Sequence, residues 1–219
     1  MAPCDNYFGK VFAHLSGALA ITALSVETSN IGPIIYGDSS RLVKFIGNLA
    51  IMFGLICGLC ITRPGGLPKY AFFIAFAFWI GQIIKPYVIN LKDKGALTRI
   101  LILTIGVFLG MMALGFYDSM NLLGFGPYLT AGLIGLIAAQ LLLLALGTPE
   151  EKKKGFQLLS FFGVALFAAF TAYDVQVLRG DAAFCKRLKK FKMEPDYPVA
   201  SLGLYLDFIN LFTNMGGTD

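Results

Sequence analysis

Pro198-Val-Ala-Ser-Leu-Gly-Leu-Tyr-Leu-Asp-Phe-Ile-Asn-Leu-Phe-Thr-Asn214 is the stretch that decides the predicted fold. It is long and apolar enough to enter a bilayer, yet it carries Asp207 at its middle. A carboxylate at that depth costs roughly 2.5–3.5 kcal/mol on insertion scales, so an intramembrane carboxylate indicates a functional site. One other aspartate, Asp174, lies inside an apolar stretch, Phe170-Thr-Ala-Tyr-Asp-Val-Gln176. We therefore predict that the two carboxylates share one site.

The composition places most of the protein surface in lipid. The chain has 219 residues, of which 57% are hydrophobic and 14% are charged. A soluble domain carries about 25% charged residues. The net charge is +5, but the basic residues cluster in short hydrophilic gaps, which is typical of loops that flank a membrane. We predict a lipid bilayer as the main partner and no nucleic acid.

The hydropathy pattern predicts seven membrane spans after a short head at residues 1–9. Each span is near the roughly 20 residues that cross a bilayer, and each must be helical because its backbone hydrogen bonds then close within the segment. The spans are about Lys10–Glu27, Leu42–Thr62, Tyr70–Asn90, Ala96–Tyr117, Gly126–Leu146, Gly155–Leu178 and 198–214. The sequence thus predicts an all-α membrane protein with a single domain over residues 1–219.

Three features of this span assignment carry further expectations. Few charges separate the fourth span from the fifth, so a six-span arrangement with one re-entrant stretch is the alternative. Thr148–Lys154 and Arg179–Lys192 are expected to be loops. The 18 Lys and Arg residues divide equally between the two sides of a seven-span chain, which leaves the orientation open. The dense basic cluster after the sixth span favours a cytoplasmic N-terminus.

The four cysteines indicate no disulfide framework. Cys57-Gly-Leu-Cys60 has a spacing that a redox dithiol or half of a zinc site would use. This pair lies inside an apolar span, without a second pair, and His14 is the single histidine of the chain. We therefore expect these cysteines to pack between helices.

A polar stripe runs along the last predicted helix. Gly203, Asn210 and Asn214 stand four residues before, three after and seven after Asp207, which places all four on one helical face. On the sixth helix, Thr171 stands three residues before Asp174, and Gly163 and Ser160 return to about the same face. Polar faces of spanning helices point to the protein interior or to a water-filled cavity. Two consecutive antiparallel helices could therefore place these faces opposite each other.

Two neighbouring carboxylates in a low dielectric cannot both ionise easily, so Asp174 and Asp207 would titrate as one unit. A shared proton would hold the two helices together. Two ionised groups would repel each other or bind a hard cation such as Ca²⁺, with the Asn210 amide as a further oxygen ligand. The simpler alternative is that each aspartate only links helices by hydrogen bonds.

Arg63 ends the second predicted span on the membrane side to which Asp174 lies close. Its guanidinium could bind the Asp174 carboxylate bidentately and act as a latch. Alternatively, Arg63 only anchors a helix end among the lipid headgroups.

Three segments resemble the transmembrane Bax inhibitor motif family. The first is Ala172-Tyr-Asp-Val-Gln176, which is similar to the Tyr-Asp-x-Gln motif of that family's sixth helix. The second is Ala200-Ser-Leu-Gly-Leu-Tyr-Leu-Asp-Phe-Ile-Asn-Leu-Phe212, which resembles its final helix. The third is Arg63 followed by Tyr70-Ala-Phe-Phe, where family members carry a basic helix end before the third span.

The resemblance implies seven helices, six of them around a central C-terminal one. It implies a pH-sensitive Ca²⁺ leak, with Ca²⁺ as the transported ion and no tightly bound cofactor, and a role in calcium homeostasis and suppression of cell death. Asp174 and Asp207 would form the pH sensor and ion gate, and Arg63 the latch. The membrane would be the endoplasmic reticulum, Golgi or mitochondrial inner membrane in a eukaryote, or the plasma membrane in a bacterium.

A pathway gated by this pair would be a leak channel or a cation exchanger. Two other function classes remain open at this point. An intramembrane aspartyl protease also uses two membrane aspartates, since a dyad that shares a proton can activate water. That class has glycine directly before its second aspartate, whereas Leu206 precedes Asp207, and its downstream Pro-Ala-Leu is missing. We therefore predict that the protein is not an enzyme. A non-transporting membrane protein that regulates a protein partner is the other alternative, since small-residue helix faces would suit one.

Overall fold

The computed structural model describes residues 4, 6–28, 41–117, 121–188 and 194–217, and these residues form an all-α protein. The seven helices are α1 (Tyr7–Thr28), α2 (Arg41–Ile61), α3 (Leu67–Asp93), α4 (Leu97–Phe116), α5 (Gly126–Leu146), α6 (Pro149–Leu188) and α7 (Tyr197–Gly217). A short 3-10 helix, Leu123–Phe125, precedes α5. The predicted seven-helix, all-α fold is confirmed, and the fourth and fifth predicted spans are two separate helices.

Five of these helical segments are long and apolar enough to cross a membrane, as judged from the described residues. They are Tyr7–Thr28, Leu67–Asp93, Leu97–Phe116, Leu123–Leu146 and Pro149–Cys185. Helix α2 contributes a shorter apolar segment, Ile46–Ile61. In helix α7, Asp207, Asn210 and Asn214 interrupt the hydrophobic residues. The protein is thus a multi-pass membrane protein in contact with the lipid bilayer.

Helix α6 is longer at both ends than the sequence analysis predicted. The expected loop at Thr148–Lys154 is wrong, because the helix begins at Pro149. Thr148 and Glu151 form a capping box, in which the Thr148 N–H donates to Glu151 Oε2 at 2.8 Å and the Glu151 N–H donates to Thr148 Oγ1 at 3.4 Å. The expected loop at Arg179–Lys192 is also wrong over its first part, because α6 continues to Leu188. Residues 189–193 lie outside the described residues.

The described chain forms two compact units, and the final helix contributes to both. The first unit contains residues 1–90 and 182–205, and the second contains residues 91–181 and 206–219. In the first unit, the fully buried Tyr205 of α7 packs against α1 and α3. Its hydroxyl lies 2.6 Å from the Thr22 hydroxyl, and the Phe76 ring stands edge-on to its ring.

In the second unit, the rest of α7 packs against α4 and α6. Phe108 of α4 and Phe208 of α7 form an edge-to-face pair with ring centroids 5.3 Å apart. The Thr104 hydroxyl of α4 lies 3.4 Å from the Met215 sulfur. A final helix enclosed by its neighbours is therefore confirmed within each unit. The prediction of one domain over residues 1–219 stays a prediction.

A disulfide bond joins Cys4 to Cys185 in the first unit, so the expectation of no disulfide is wrong. The two cysteines are separated by 181 positions in the sequence, and only the fold brings them together. Cys57 and Cys60 are free thiols on α2. Cys57 is half-buried, but Cys60 is exposed, so the expectation that both cysteines pack between helices is wrong for Cys60.

Thiol labelling checks this assignment directly. Denatured, non-reduced protein should take up maleimide on Cys57 and Cys60 alone, because the other two sulfurs are bonded to each other. Reduction before labelling should make all four cysteines reactive. Intact mass spectrometry reads both states. Four labels without reduction would contradict the disulfide.

Candidate functional site: an intramembrane carboxylate pair

Asp207 lies on α7 within the second unit and is almost fully enclosed. Its side chain is 5% exposed, and its Oδ2 atom has no hydrogen-bond partner among the described residues. A buried polar atom without a partner is destabilising, and an unpaired buried carboxylate is more so. The fold therefore keeps at this position a group that weakens packing, which marks Asp207 as a candidate functional residue.

Asp174 lies on α6 in the same unit, where its carboxyl group interacts electrostatically with that of Asp207. It is half-buried and makes no side-chain hydrogen bond to any described residue. The Thr171 hydroxyl lies beside Asp207 and donates to the Phe167 carbonyl at 2.9 Å. A hydroxyl has one hydrogen to donate. While this hydrogen is donated to Phe167, the Thr171 oxygen can still accept a hydrogen bond from a protonated Asp207.

The polar faces of α6 and α7 meet in an antiparallel register. Three pairs lie opposite one another: Thr171 with Asp207, Gly163 with Asn214, and Ser160 with Gly217. At Gly163 the two helices approach so closely that a Cβ atom there would stand 2.6 Å from Asn214 Cγ. The structure thus brings together the polar face of α6 and the polar stripe of α7 that helical spacing predicted.

The amides of the α7 stripe bond to their own helix. Asn210 Nδ2 donates to the Leu206 carbonyl at 2.9 Å, and Asn214 Nδ2 donates to the Asn210 carbonyl at 2.8 Å. Their side-chain oxygens lie along the same helix, that of Asn210 one turn and that of Asn214 two turns beyond Asp207. Gly203, the fourth member of the stripe, lies one turn before Asp207 in the part of α7 that belongs to the first unit. The role of Asp174 and Asp207 as pH sensor and ion gate stays a prediction.

Arg63 lies two residues after the end of α2 and has an exposed side chain. It belongs to the first unit, whereas Asp174 belongs to the second. The latch between Arg63 and Asp174 therefore stays a prediction.

Gly163→Leu should disrupt the contact between α6 and α7. The added side chain would collide with the Asn214 amide, and overpacking of this kind typically costs about 1–3 kcal/mol. We expect a lower thermal unfolding midpoint in detergent. Gly135→Leu is the matched control, because Gly135 is exposed and has open space around it. Equal midpoints for the two variants would contradict the close approach at Gly163.

Sequence reasoning missed a second ionic site, an ion pair between Lys69 and Asp196 in the first unit. Lys69 is 1% exposed, and Asp196 is 27% exposed. Asp196 also caps α7, because its Oδ1 accepts the Val199 N–H at 3.2 Å. An aspartate just before an apolar run is an N-cap signal, so its capping role was readable from the sequence. Nothing in the local sequence connects it to Lys69.

His14 lies in the same unit between two tyrosine rings. Its ring stacks at 5.8 Å from Tyr70 and 6.0 Å from Tyr197. One ring nitrogen lies 2.7 Å from the Lys10 carbonyl oxygen. His14 is therefore a packed, hydrogen-bonded histidine.

Comparison with known proteins agrees with this architecture over nearly the whole chain. Residues 4–216 match the family model described as "Inhibitor of apoptosis-promoting Bax1". The chain is 31% identical to the inner membrane protein YbhL of Escherichia coli K12, over 96% of this chain and 89% of that protein. It is 26% identical to protein lifeguard 4 of Mus musculus, over 95% of this chain and 82% of the relative.

A further relative is Bax inhibitor 1 of Schizosaccharomyces pombe, with 25% identity over 94% of this chain and 73% of that protein. The matched region includes α1 to α6 and nearly all of α7, and so includes Asp174 and Asp207. Both the extent of the family match and the YbhL identity point to the same conclusion. The chain belongs to the Bax inhibitor-1 family of multi-pass membrane proteins.

Proposed function

We propose that the protein is a pH-sensitive calcium leak in which Asp174 and Asp207 form the proton-sensing gate. The observation that carries this proposal is the enclosed Asp207 carboxyl group, whose Oδ2 has no hydrogen-bond partner within the described part of the chain and which interacts with a second carboxyl group. A pair of this kind responds to protons because its two members cannot both be charged at low cost.

The proton-bound form would close the contact between α6 and α7. A protonated carboxyl can donate a hydrogen bond to its partner carboxylate, and Thr171 beside Asp207 offers a further acceptor. Loss of the shared proton leaves two negative charges that repel each other in a low dielectric. We expect this repulsion to separate the two helices and open a path for cations, so flux should rise with pH.

Calcium fits the site as a passing ion. Ca²⁺ prefers oxygen ligands and takes six to eight of them when it is held tightly. Asp174 and Asp207 offer carboxylate oxygens, and Asn210, one turn beyond Asp207, offers an amide oxygen. Among the described residues there is no group of three acidic, histidine or cysteine side chains that would hold a metal. A site with few charged ligands suits transient binding and release.

The protein reconstituted into liposomes tests the proposal. Ca²⁺ entry, read by a trapped indicator dye, should exceed that of empty liposomes and change about tenfold or more between pH 6 and pH 8, as expected when one proton titrates in this range. The family description, with its reference to apoptosis, is consistent with a role of such a leak in cell survival. Absence of flux at every pH, together with a stable co-purified protein, would instead favour a non-transporting regulator.

A further inference from the structure

We propose that Gln176 is a positioning residue for the carboxylate pair, because it docks the connection between α4 and α5 onto the face of α6 opposite Asp174. The inference rests on the proposed function, since it concerns how the proposed gate is held. It assigns a role to the glutamine of the Ala172-Tyr-Asp-Val-Gln176 motif and to residues 121–125, which otherwise only lead into α5.

The central contact is a short hydrogen bond to a buried side chain. Gln176 is 7% exposed, and its Oε1 accepts the Leu122 N–H at 2.7 Å. Leu122 precedes the 3-10 helix Leu123–Phe125, where backbone N–H groups lack partners within the helix. The glutamine thus satisfies a backbone donor of the connection, and this fixes the connection to α6.

Three further contacts join the same face of α6 to the elements on either side of the connection. Gly115 near the end of α4 lies so close that a Cβ there would stand 2.5 Å from the Ala172 carbonyl. The Arg179 guanidinium donates to the Phe116 carbonyl at 3.3 Å. At the start of α5, Gly126 packs against the Tyr173 hydroxyl.

Helix geometry places the docking face of α6, which carries Gln176, on the opposite side of the helix from Asp174. Gln176 follows Asp174 by two residues, which is a rotation of about 200° around the helix. Helix α6 therefore carries the gate carboxyl on one side and the docked connection on the other. The docking keeps α6 fixed while the contact between α6 and α7 opens and closes. Weaker docking should let Asp174 move away from Asp207 more easily.

Gln176→Leu is the primary test, measured as the pH profile of Ca²⁺ flux in liposomes. We expect the midpoint to move by about half a pH unit or more towards acid, because the separated state becomes easier to reach. Gln140→Leu is the matched control, since Gln140 on α5 makes no hydrogen bond to any described residue, and its midpoint should equal that of wild type. An unchanged midpoint in Gln176→Leu, or a shift towards alkaline pH, would overturn the inference even if the variant is less stable.

Leu122→Pro removes the same hydrogen bond from its other side. Proline has no N–H, and the φ angle of −88° at Leu122 lies near the range that proline adopts. It should shift the midpoint in the same direction as Gln176→Leu, and the double variant should shift it no further, because one bond is lost in both. Additive shifts would contradict the assignment. Should Gln176→Leu not fold, Leu122→Pro alone gives the decisive midpoint.

The same data separate the failure of this inference from the failure of the proposed function. If the wild-type flux does not respond to pH, or does not change when Asp174 and Asp207 are substituted, the proposed gate is wrong. If the flux depends on both aspartates but its pH midpoint is unchanged in Gln176→Leu and Leu122→Pro, the proposed gate stands and only the positioning role of Gln176 is wrong.

Discussion

Asp207→Asn is expected to remove the pH dependence of Ca²⁺ flux between pH 6 and pH 8. Asparagine keeps the size of the side chain but cannot ionise, so the pair can no longer exchange a shared proton for two charges. Wild-type flux should change about tenfold or more over this range, whereas the variant should change less than about twofold. Asp174→Asn should give the same flat profile, because a pair that titrates as one unit needs both members.

The chain provides a matched control for this prediction on α6 itself. Asp181 lies two turns beyond Asp174, but its side chain is exposed. Asp181→Asn removes one acidic group from the same helix and should leave the pH profile as in wild type. A steep profile that survives in both Asp174→Asn and Asp207→Asn would show that another group senses pH.

Asp196→Asn is expected to destabilise the protein by about 2–3 kcal/mol. It leaves the buried Lys69 ammonium without its partner, and loss of one member of a buried ion pair typically costs about 3–5 kcal/mol. The smaller figure allows for the 27% exposure of Asp196, which lets water compensate in part. Thermal unfolding in detergent, followed by circular dichroism, measures the loss.

This substitution separates the ion pair from the helix cap. The asparagine side chain can still accept the Val199 N–H at the start of α7, so capping is retained. Lys69→Met in the Asp196→Asn background removes the unpaired charge and should recover most of the stability. A double variant no more stable than Asp196→Asn alone would show that the loss has another cause.

The sequence predicted the parts of the fold that depend on local patterns. Apolar stretches near 20 residues correspond to the observed helices, because a bilayer requires each span to satisfy its own backbone. The two polar faces were predicted from helical spacing. Thr171, Gly163 and Ser160 repeat on one face of α6, and the polar stripe lies on one face of α7. Because α6 and α7 are consecutive and antiparallel, these two polar faces were expected to lie opposite each other.

The parts that sequence reasoning missed depend on long-range packing or on a competing local signal. Cys4 and Cys185 meet across 181 positions, and Lys69 meets Asp196 across 127, so neither pair has a local pattern. The charged run after Thr148 suggested a loop, but the capping box with Glu151 starts a helix there. Gln176 was recognised within its motif, yet its partner is a backbone N–H, which no side-chain pattern reveals.

A double-mutant cycle on Ca²⁺ flux is the most direct test of a shared site. The pH response of wild type, Asp174→Asn, Asp207→Asn and the double variant would be measured in liposomes at equal protein density. A shared site predicts that the double variant behaves like either single variant, because each substitution already removes the whole proton response. Single variants that each lose part of the response, with losses that add in the double variant, would contradict the central claim.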